Sequence, residues 1–355
     1  MKRVSKTVYA RGVAIGGGNP VTIQSMLSAP SEDKEACLSQ LRRLEDCGCQ
    51  IVRMAVNSRE AVATLSYLLP RTRLPLVADI HFDYKLALDA ASAGVSKIRI
   101  NPGNIGTPDR VEKVAVACME RKIPIRIGIN GGSLEKGLLA KYGGPTAEAI
   151  AESAVNNAMM LERYGFGDIV LSVKSSSVPT MIEANRILAA RTDYPLHLGV
   201  TETGTGNSAL IKSAVGIGAL LADGIGDTMR VSLSEDVTEE VAAAKDILKS
   251  LGLRQGINLI SCPTCGRTRF DLIGKAKELK ERLDGISCDK QINVALMGCI
   301  VNGPGEAAEA DVGAAGAGDE AVIFRKGKTL RRVHTDSVVD ALIEELLAII
   351  AEDTE

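Results

Sequence analysis

The sequence contains no tryptophan, and aromatic residues fill only 3% of its 355 positions. A chain so poor in flat rings has no platform for stacking nucleic-acid bases. It also lacks a dominant charge. The formal net charge of −2 gives no electrostatic reason to expect a nucleic-acid or anionic-membrane partner. No apolar run reaches the length of a membrane span. The basic start, "MKRVSKTVYARGVAIGGGNP", has no apolar segment behind it and does not read as a signal peptide. Cytoplasm is the expected compartment.

What is there is small and aliphatic, with 35 glycines and many Ala, Val and Ile residues, a composition suited to tight strand–helix turns in an α/β protein. In the first 235 residues a β-branched run ending in polar residues is repeatedly followed by an Ala/Leu/Glu/Lys-rich helical stretch. The runs are "VTIQSM", "IVRMAV", "LVADIHF", "KIRINPG", "PIRIGIN", "DIVLSVK", "PLHLGVTETG" and "TMRVSL". Eight such units predict a TIM (β/α)8 barrel. A doubly wound open sheet is the alternative, because sequence does not show closure. "GGSLEKGLLAKYGGPT" reads as an extended loop, and "TAEAIAESAVNNAMMLERYG" as a helix capped by Thr146 and stopped at Gly165.

After residue 240 the pattern breaks. "INLISCPTCG" reads as strand and turn, "DLIGKAKELKERLDG" as helix, and "QINVALMGCIVNGPGEA" as strand, turn and helix start. "GAAGAGDE" reads as a flexible loop, "AVIFRKGKTLRRV" as a hairpin turning at Lys326–Gly327, and "DSVVDALIEELLAIIAED" as an amphipathic helix. Two domains are expected, 1–245 and 256–355.

The C-terminal ends of barrel strands face the active site, and here they are polar. Arg53, Arg99, Arg126 and Arg230 lie in four different strands, and Lys174 ends a fifth. Asp79, His81, Asn130, Ser172, Thr201, Glu202 and Ser232 share these ends. Clustered guanidiniums repel one another and lose hydration. With few acids at the same rim, a bound polyanion would relieve both, and the guanidinium fork suits phosphate. A phosphorylated substrate is the expectation. "TETGTGNSALIKSA" adds a Gly-rich turn before a helix after the seventh strand. Asp79 and His81 suit acid–base work or mutual orientation. Glu202 suits proton transfer or holding a substrate hydroxyl.

Eight cysteines in such a chain do not suggest a disulfide scaffold. Cys37, Cys47, Cys49 and Cys118 fall in helical stretches and read as small buried hydrophobes. Cys262 and Cys265 form a CxxC without a second CxxC, so a structural zinc site would lack nearby ligands. An iron–sulfur site needs thiolates from converging turns. Cys299, in "MGCIVNGPGEA", meets that need if its strand runs parallel to the one before the CxxC. Cys288 is the rival third ligand. Glu306 offers either an oxygen ligand to a fourth iron or an acid at a helix N-terminus. A non-redox phosphosugar lyase or isomerase carrying structural zinc is the competing reading, and a cluster-bearing sensor a third.

"LVADIHFDYKLAL", "KIRINPGNIG", "IPIRIGINGGSLEK", "GIGDTMRVSL", "CPTCGRTRFDL" and "GCIVNGPGEA" closely resemble the 4-hydroxy-3-methylbut-2-en-1-yl diphosphate synthase family in its compact two-domain bacterial form. "SMLSAPSEDKEACLSQL" departs from the Thr/Asn-rich stretch usual there. The resemblance implies a TIM barrel followed by a smaller reductase-like α/β domain. It implies a [4Fe-4S] cluster on Cys262, Cys265, Cys299 and Glu306. The substrate would be 2-C-methyl-D-erythritol 2,4-cyclodiphosphate, its diphosphate held by Arg53, Arg99, Arg126 and Lys174. Asn130, Thr201, Arg230 and Ser232 would line the site, and Glu202 would handle protons. The reaction would be reductive dehydroxylation with ring opening, fed by reduced flavodoxin or ferredoxin in a homodimer.

Overall fold

The computed structural model describes residues 2–268, 270–286, 288–300 and 309–352. By internal contacts the chain divides into two units, Met1–Leu253 and Arg254–Glu355.

The first unit opens with an antiparallel hairpin, β1 (Thr7–Ala10) and β2 (Val13–Gly16). Its turn is Arg11–Gly12, both residues at positive φ, as a tight two-residue hairpin requires. Ala10 and Ile15 pack on Ile51 and Val77, near the starts of their strands, so the hairpin plugs the N-terminal end of the barrel. Its four-residue strands carried too short an alternation to be noticed in the sequence.

Eight parallel strands follow: β3 (Thr22–Met26), β4 (Ile51–Ala55), β5 (Leu76–Asp79), β6 (Lys97–Ile100), β7 (Ile125–Asn130), β8 (Ile169–Lys174), β9 (His197–Leu198) and β10 (Thr228–Met229). Each falls in one of the eight β-branched runs. Their order is β8-β7-β6-β5-β4-β3-β10-β9, and a parallel bridge between Leu171 and Leu196 joins the two ends. The sheet is therefore a barrel, and the open-sheet alternative falls. Helices pack outside it because each carries an apolar stripe at helical spacing, such as Cys37, Leu38, Leu41 and Leu44 on the helix Lys34–Asp46. The helix Ala147–Arg163 is capped by Thr146, whose side chain accepts from Ala149 N, and the chain leaves it through Gly165 at φ 76°. The stretch read as an extended loop contains a short helix, Lys136–Tyr142.

The second unit has a five-stranded sheet: β11 (Gly256–Ser261), β12 (Gln291–Met297), β13 (Val312–Ala317), β14 (Glu320–Arg325) and β15 (Lys328–His334). The first three are parallel and the last two antiparallel. The helices Leu272–Asp284 and Val338–Glu352 pack against it. β13 corrects the reading of "GAAGAGDE" as a flexible loop. The run's first five residues belong to the central strand β13, where Gly313 and Gly316 are there for space, while Gly318 takes the turn at φ 85°. A Cβ on Gly313 would lie 2.3 Å from the Phe324 ring, and one on Gly316 2.5 Å from Phe270. Small residues leave room for the two rings.

Candidate active site

At the C-terminal ends of the barrel strands lies a cavity of about 210 Å³. It is lined by Arg53, Asp79, His81, Arg99, Arg126, Gly128, Ile129, Asn130, Ser172, Lys174, Thr201, Arg230 and Ser232. Alternation along parallel strands brings these side chains together, because every second residue points inward. All eight residues expected to bind substrate are among them.

Five nominal cations here face two buried carboxylates. Asp79 is shared: Arg99 Nη1 donates to it at 3.1 Å, Arg53 Nε lies at 3.5 Å, and His81 Nε2 at 3.5 Å. Burial opposes ionisation of Asp79, but Arg53 and Arg99 outweigh burial and hold the carboxyl below its usual range. Its surroundings make Asp79 a counterion, with the partly exposed His81 beside it. The second carboxylate, Glu240, was missed in the sequence. It sits on the helix Val237–Ser250 and takes two hydrogen bonds from Arg230, at 3.0 and 2.7 Å. The rim acids are thus more numerous than the strands alone suggested, and three of the four arginines have one.

Among the described residues Arg126 forms no ion pair with a carboxylate. It is 1% exposed, its Nη1 donates to Gln24 Oε1 at 3.3 Å, and its Nε has no partner among the described residues. Burial, then repulsion from Arg53 and Arg99, pushes its guanidinium well below its ordinary value. A guanidinium keeps its proton in proteins, so this shift measures a cost that a bound anion would relieve. Burial and neighbouring cations likewise push down Lys174 and the fully buried Lys97. Lys97 Nζ and His197 Nε2 have no hydrogen-bond partner among the described residues.

Two glycines make room for these cations. A Cβ on Gly128 would lie 2.5 Å from Arg99 Nε, and one on Gly199 2.7 Å from Lys174 Nζ. Glu202 is not in the cavity lining; it follows Thr201, is exposed, and has φ 56°. A non-glycine residue in the left-handed region is held there by its surroundings. The neighbouring Thr203 hydroxyl donates to Ser232 O, and Ser234 N to Gly204 O.

In the second unit, β11 and β12 run parallel with Ser261 opposite Leu296. The turns after both strands therefore meet. Gly298 N donates to Cys262 Sγ at 3.2 Å. Thr268 N donates to Cys265 O at 3.0 Å, and a Cβ on Gly298 would lie 2.5 Å from Thr268 Oγ1. Cys299 comes next in the chain. Cys288 precedes β12, and its sulfur contacts Lys290 locally. A strand of seven residues separates it from these turns, roughly 23 Å at 3.3 Å per residue. The structure thus places Cys288 away from the turns that carry Cys262 and Cys299. Glu306 lies outside the described residues. Among the described residues no group of three or more His, Cys, Asp or Glu side chains is gathered closely enough to hold a metal.

The fold and the cavity define a class: a (β/α)8-barrel protein whose strand-end mouth is built to receive an anion. The chain belongs to the GcpE family. The family descriptions "GcpE TIM-barrel domain" and "GcpE protein C-terminal domain" match residues 5–245 and 258–348. The chain is 53% identical over 344 residues to a Clostridium perfringens protein named 4-hydroxy-3-methylbut-2-en-1-yl diphosphate synthase (flavodoxin), covering 97% of this chain and 98% of the relative. It is 52% identical to the Geobacter sulfurreducens protein of the same name, covering 99% of each. Among solved structures it is similar to dihydropteroate synthase from Stenotrophomonas maltophilia, with a TM-score of 0.52 and 15% identity over 70% of this chain and 97% of that one. That likeness concerns the barrel fold alone.

Proposed function

We infer that this protein catalyses the reaction named in its relatives, forming 4-hydroxy-3-methylbut-2-en-1-yl diphosphate with flavodoxin as electron donor. The substrate is 2-C-methyl-D-erythritol 2,4-cyclodiphosphate, and the reaction is a two-electron reductive dehydroxylation with ring opening. One observation carries the substrate side: a strand-end cavity holding five cations against two carboxylates. A diphosphate supplies the missing negative charge.

In this reading the barrel, 1–245, binds substrate. Arg53, Arg99, Arg126 and Lys174 hold the diphosphate through charge-assisted hydrogen bonds. Asn130, Thr201, Arg230 and Ser232 orient the rest, and Glu202 handles protons near the substrate hydroxyls. Anchoring at the phosphates keeps the opened chain in place as the C–O bond breaks, so the reacting carbon does not have to be recaptured.

The second domain, 256–355, would hold a [4Fe-4S] cluster on Cys262, Cys265 and Cys299, with Glu306 on the remaining iron. What supports this is the meeting of the two turns: the amide of Gly298, next to Cys299, donates to Cys262 Sγ, the kind of contact that tunes such a group, although the three thiols are not drawn together as a metal-binding group. When bound, the cluster supplies single electrons and a Lewis-acidic iron. The protein's own part would be to present the thiolates from adjoining turns and to offer a carboxylate as a weaker ligand than a thiolate. A homodimer and a cytoplasmic location complete the reading. Among the described residues no helix is long and apolar enough to cross a membrane.

The test is anaerobic purification, assay of iron and sulfide, and incubation with cyclodiphosphate and reduced flavodoxin. Brown protein that yields the linear diphosphate supports the reading. Colourless protein carrying zinc, or brown protein without turnover under strong reductant, sinks it. Mixing Arg126→Ala chains with Cys299→Ser chains tests the dimer. Recovered activity means that one copy's barrel works with the other copy's thiols.

A further inference from the structure

We propose that Glu240 is the positioning residue for Arg230 and that it sets the net charge of the barrel mouth. The proposal rests on the anion-binding reading of that cavity and adds a residue to which no role has been assigned.

Glu240 lies one turn into the helix Val237–Ser250, behind the strand ends. It is 2% exposed. Its carboxylate accepts from Ser25 Oγ at 2.9 Å, Arg230 Nε at 3.0 Å, Arg230 Nη2 at 2.7 Å and Leu233 N at 3.2 Å. A carboxylate has about four acceptor sites, and here four donors reach it. No acceptor position is left for substrate or for a travelling proton. Glu240 is therefore not an acid or base of the reaction. The cavity-lining residue it bonds is Arg230, and its charge also reaches Lys174 and Arg53.

Its effect on Arg230 is specific. Two of the three guanidinium nitrogens are bound in a fork that fixes the plane of the group. The third, Nη1, lies 3.6 Å from Met26 Sδ. Arg230 lines the cavity with its charge already matched, one carboxylate to one guanidinium. Asp79 is instead divided between Arg53 and Arg99, with one contact to each. Among the described residues Arg126 and Lys174 form no ion pair with a carboxylate and feel Asp79 and Glu240, respectively, only at longer range. The mouth is thus graded. Arg126 and Lys174 contribute charge, while Arg230 contributes a directed hydrogen bond with little net charge.

A grading of this kind matters for a linear diphosphate, which carries a terminal phosphate and hence more charge than a cyclic one. A mouth with one more free cation would hold that product too firmly. Glu240 would thus trade binding strength for release. A buried ion pair can also be merely structural, tying a helix to the strands. The tests below separate the two.

Inorganic pyrophosphate is the probe, titrated calorimetrically into the full-length protein, so that binding is read independently of any cluster or turnover. Glu240→Gln keeps the volume but removes one charge and half of the fork. It should bind pyrophosphate about tenfold more tightly, with a steeper dependence on salt. In turnover its KM should fall and its kcat should drop at least tenfold. Glu240→Asp restores the charge at a shorter reach. It should return pyrophosphate affinity and KM toward the parent while kcat stays low, splitting charge from position. A purely structural role predicts that both variants lose thermal stability with pyrophosphate affinity unchanged, and that result overturns the proposal. If Glu240→Gln does not fold, the pair Glu240→Met with Arg230→Met replaces the ion pair by apolar volume. That double variant should bind pyrophosphate at least as well as Arg230→Met alone. Weaker binding by the double variant would show that Glu240 favours the bound anion instead of limiting its hold, and would refute the assignment. Pyrophosphate binding that behaves as described, in a protein that never converts the cyclodiphosphate, would leave this inference standing and remove only the reaction.

Discussion

The two units use cysteine in opposite ways. In the barrel, Cys37, Cys49 and Cys118 are buried in the helix–strand core, with Cys47 partly buried beside them. Burial pushes their thiols up, Cys37 to about 11 and Cys49 and Cys118 to about 12, and it raises Cys47 as well. Such sulfurs are packing atoms. In the second unit Cys262 and Cys265 sit on a turn, with Cys265 exposed, and Cys299 follows the neighbouring turn. The barrel keeps its chemistry in charged groups locked by one another inside a rigid wall. The second unit carries soft sulfur donors on turns. The lesson is that environment, more than residue type, decides which sulfurs react.

The strongest way to break this contrast is Cys299→Ser. It should abolish iron retention and turnover, whereas Cys288→Ser should leave iron within twofold of the parent, both read by metal analysis. Glu306→Ala should keep iron and lose turnover. If Cys288→Ser lost the metal and Cys299→Ser did not, the pairing of turns would be the wrong guide. Next in size, Arg126→Met should weaken pyrophosphate binding by about two orders of magnitude, the scale of a buried charge pair, without changing iron content. Binding equal to the parent would end the anion cradle.

Asp79→Asn sharpens the barrel side. It leaves Arg53 and Arg99 without their shared carboxylate, so unfolding should become easier by about 3 kcal/mol, measured by urea titration, and pyrophosphate should restore much of the loss. The pH dependence follows the same group. Its folded-state carboxyl titrates below the unfolded one. Its contribution is therefore complete above the ordinary carboxylate value near pH 4 and is lost as pH falls through the lower folded value. Acid titration of the parent and of Asp79→Asn should converge below that window; parallel curves would refute the role. The smallest effect concerns labelling. In native, metal-free protein at pH 8, a thiol reagent should modify Cys265 within minutes and leave Cys37, Cys49 and Cys118 untouched, as peptide mass mapping would show.

Much of the barrel was legible because each inner strand is a β-branched run whose last inward residues are polar, as in "IVRMAV" and "KIRINPG". The cationic lining could be listed for the same reason, since each strand shows its own charge. What escaped depends on partners distant in sequence. Glu240 reads as one acid among several in a solvent-facing helix, and only the fold turns it toward Arg230. β13 escaped because its small residues answer to Phe324 and Phe270, which no local periodicity reveals. Cys299 was favoured over Cys288 from the sequence on the expectation of parallel strands, and β11 and β12 do run parallel. Gly128 and Gly199 are silent in sequence, since an unfilled space has no composition.

Gly199 shows how far that silence reaches. A single methyl group there would meet Lys174 Nζ at 2.7 Å and Arg230 O at 2.8 Å. The mildest exchange a sequence can undergo, glycine to alanine, would evict an ammonium group or bend the strand beside it. At this position a change that alters no formal charge would act as though a lysine had been deleted.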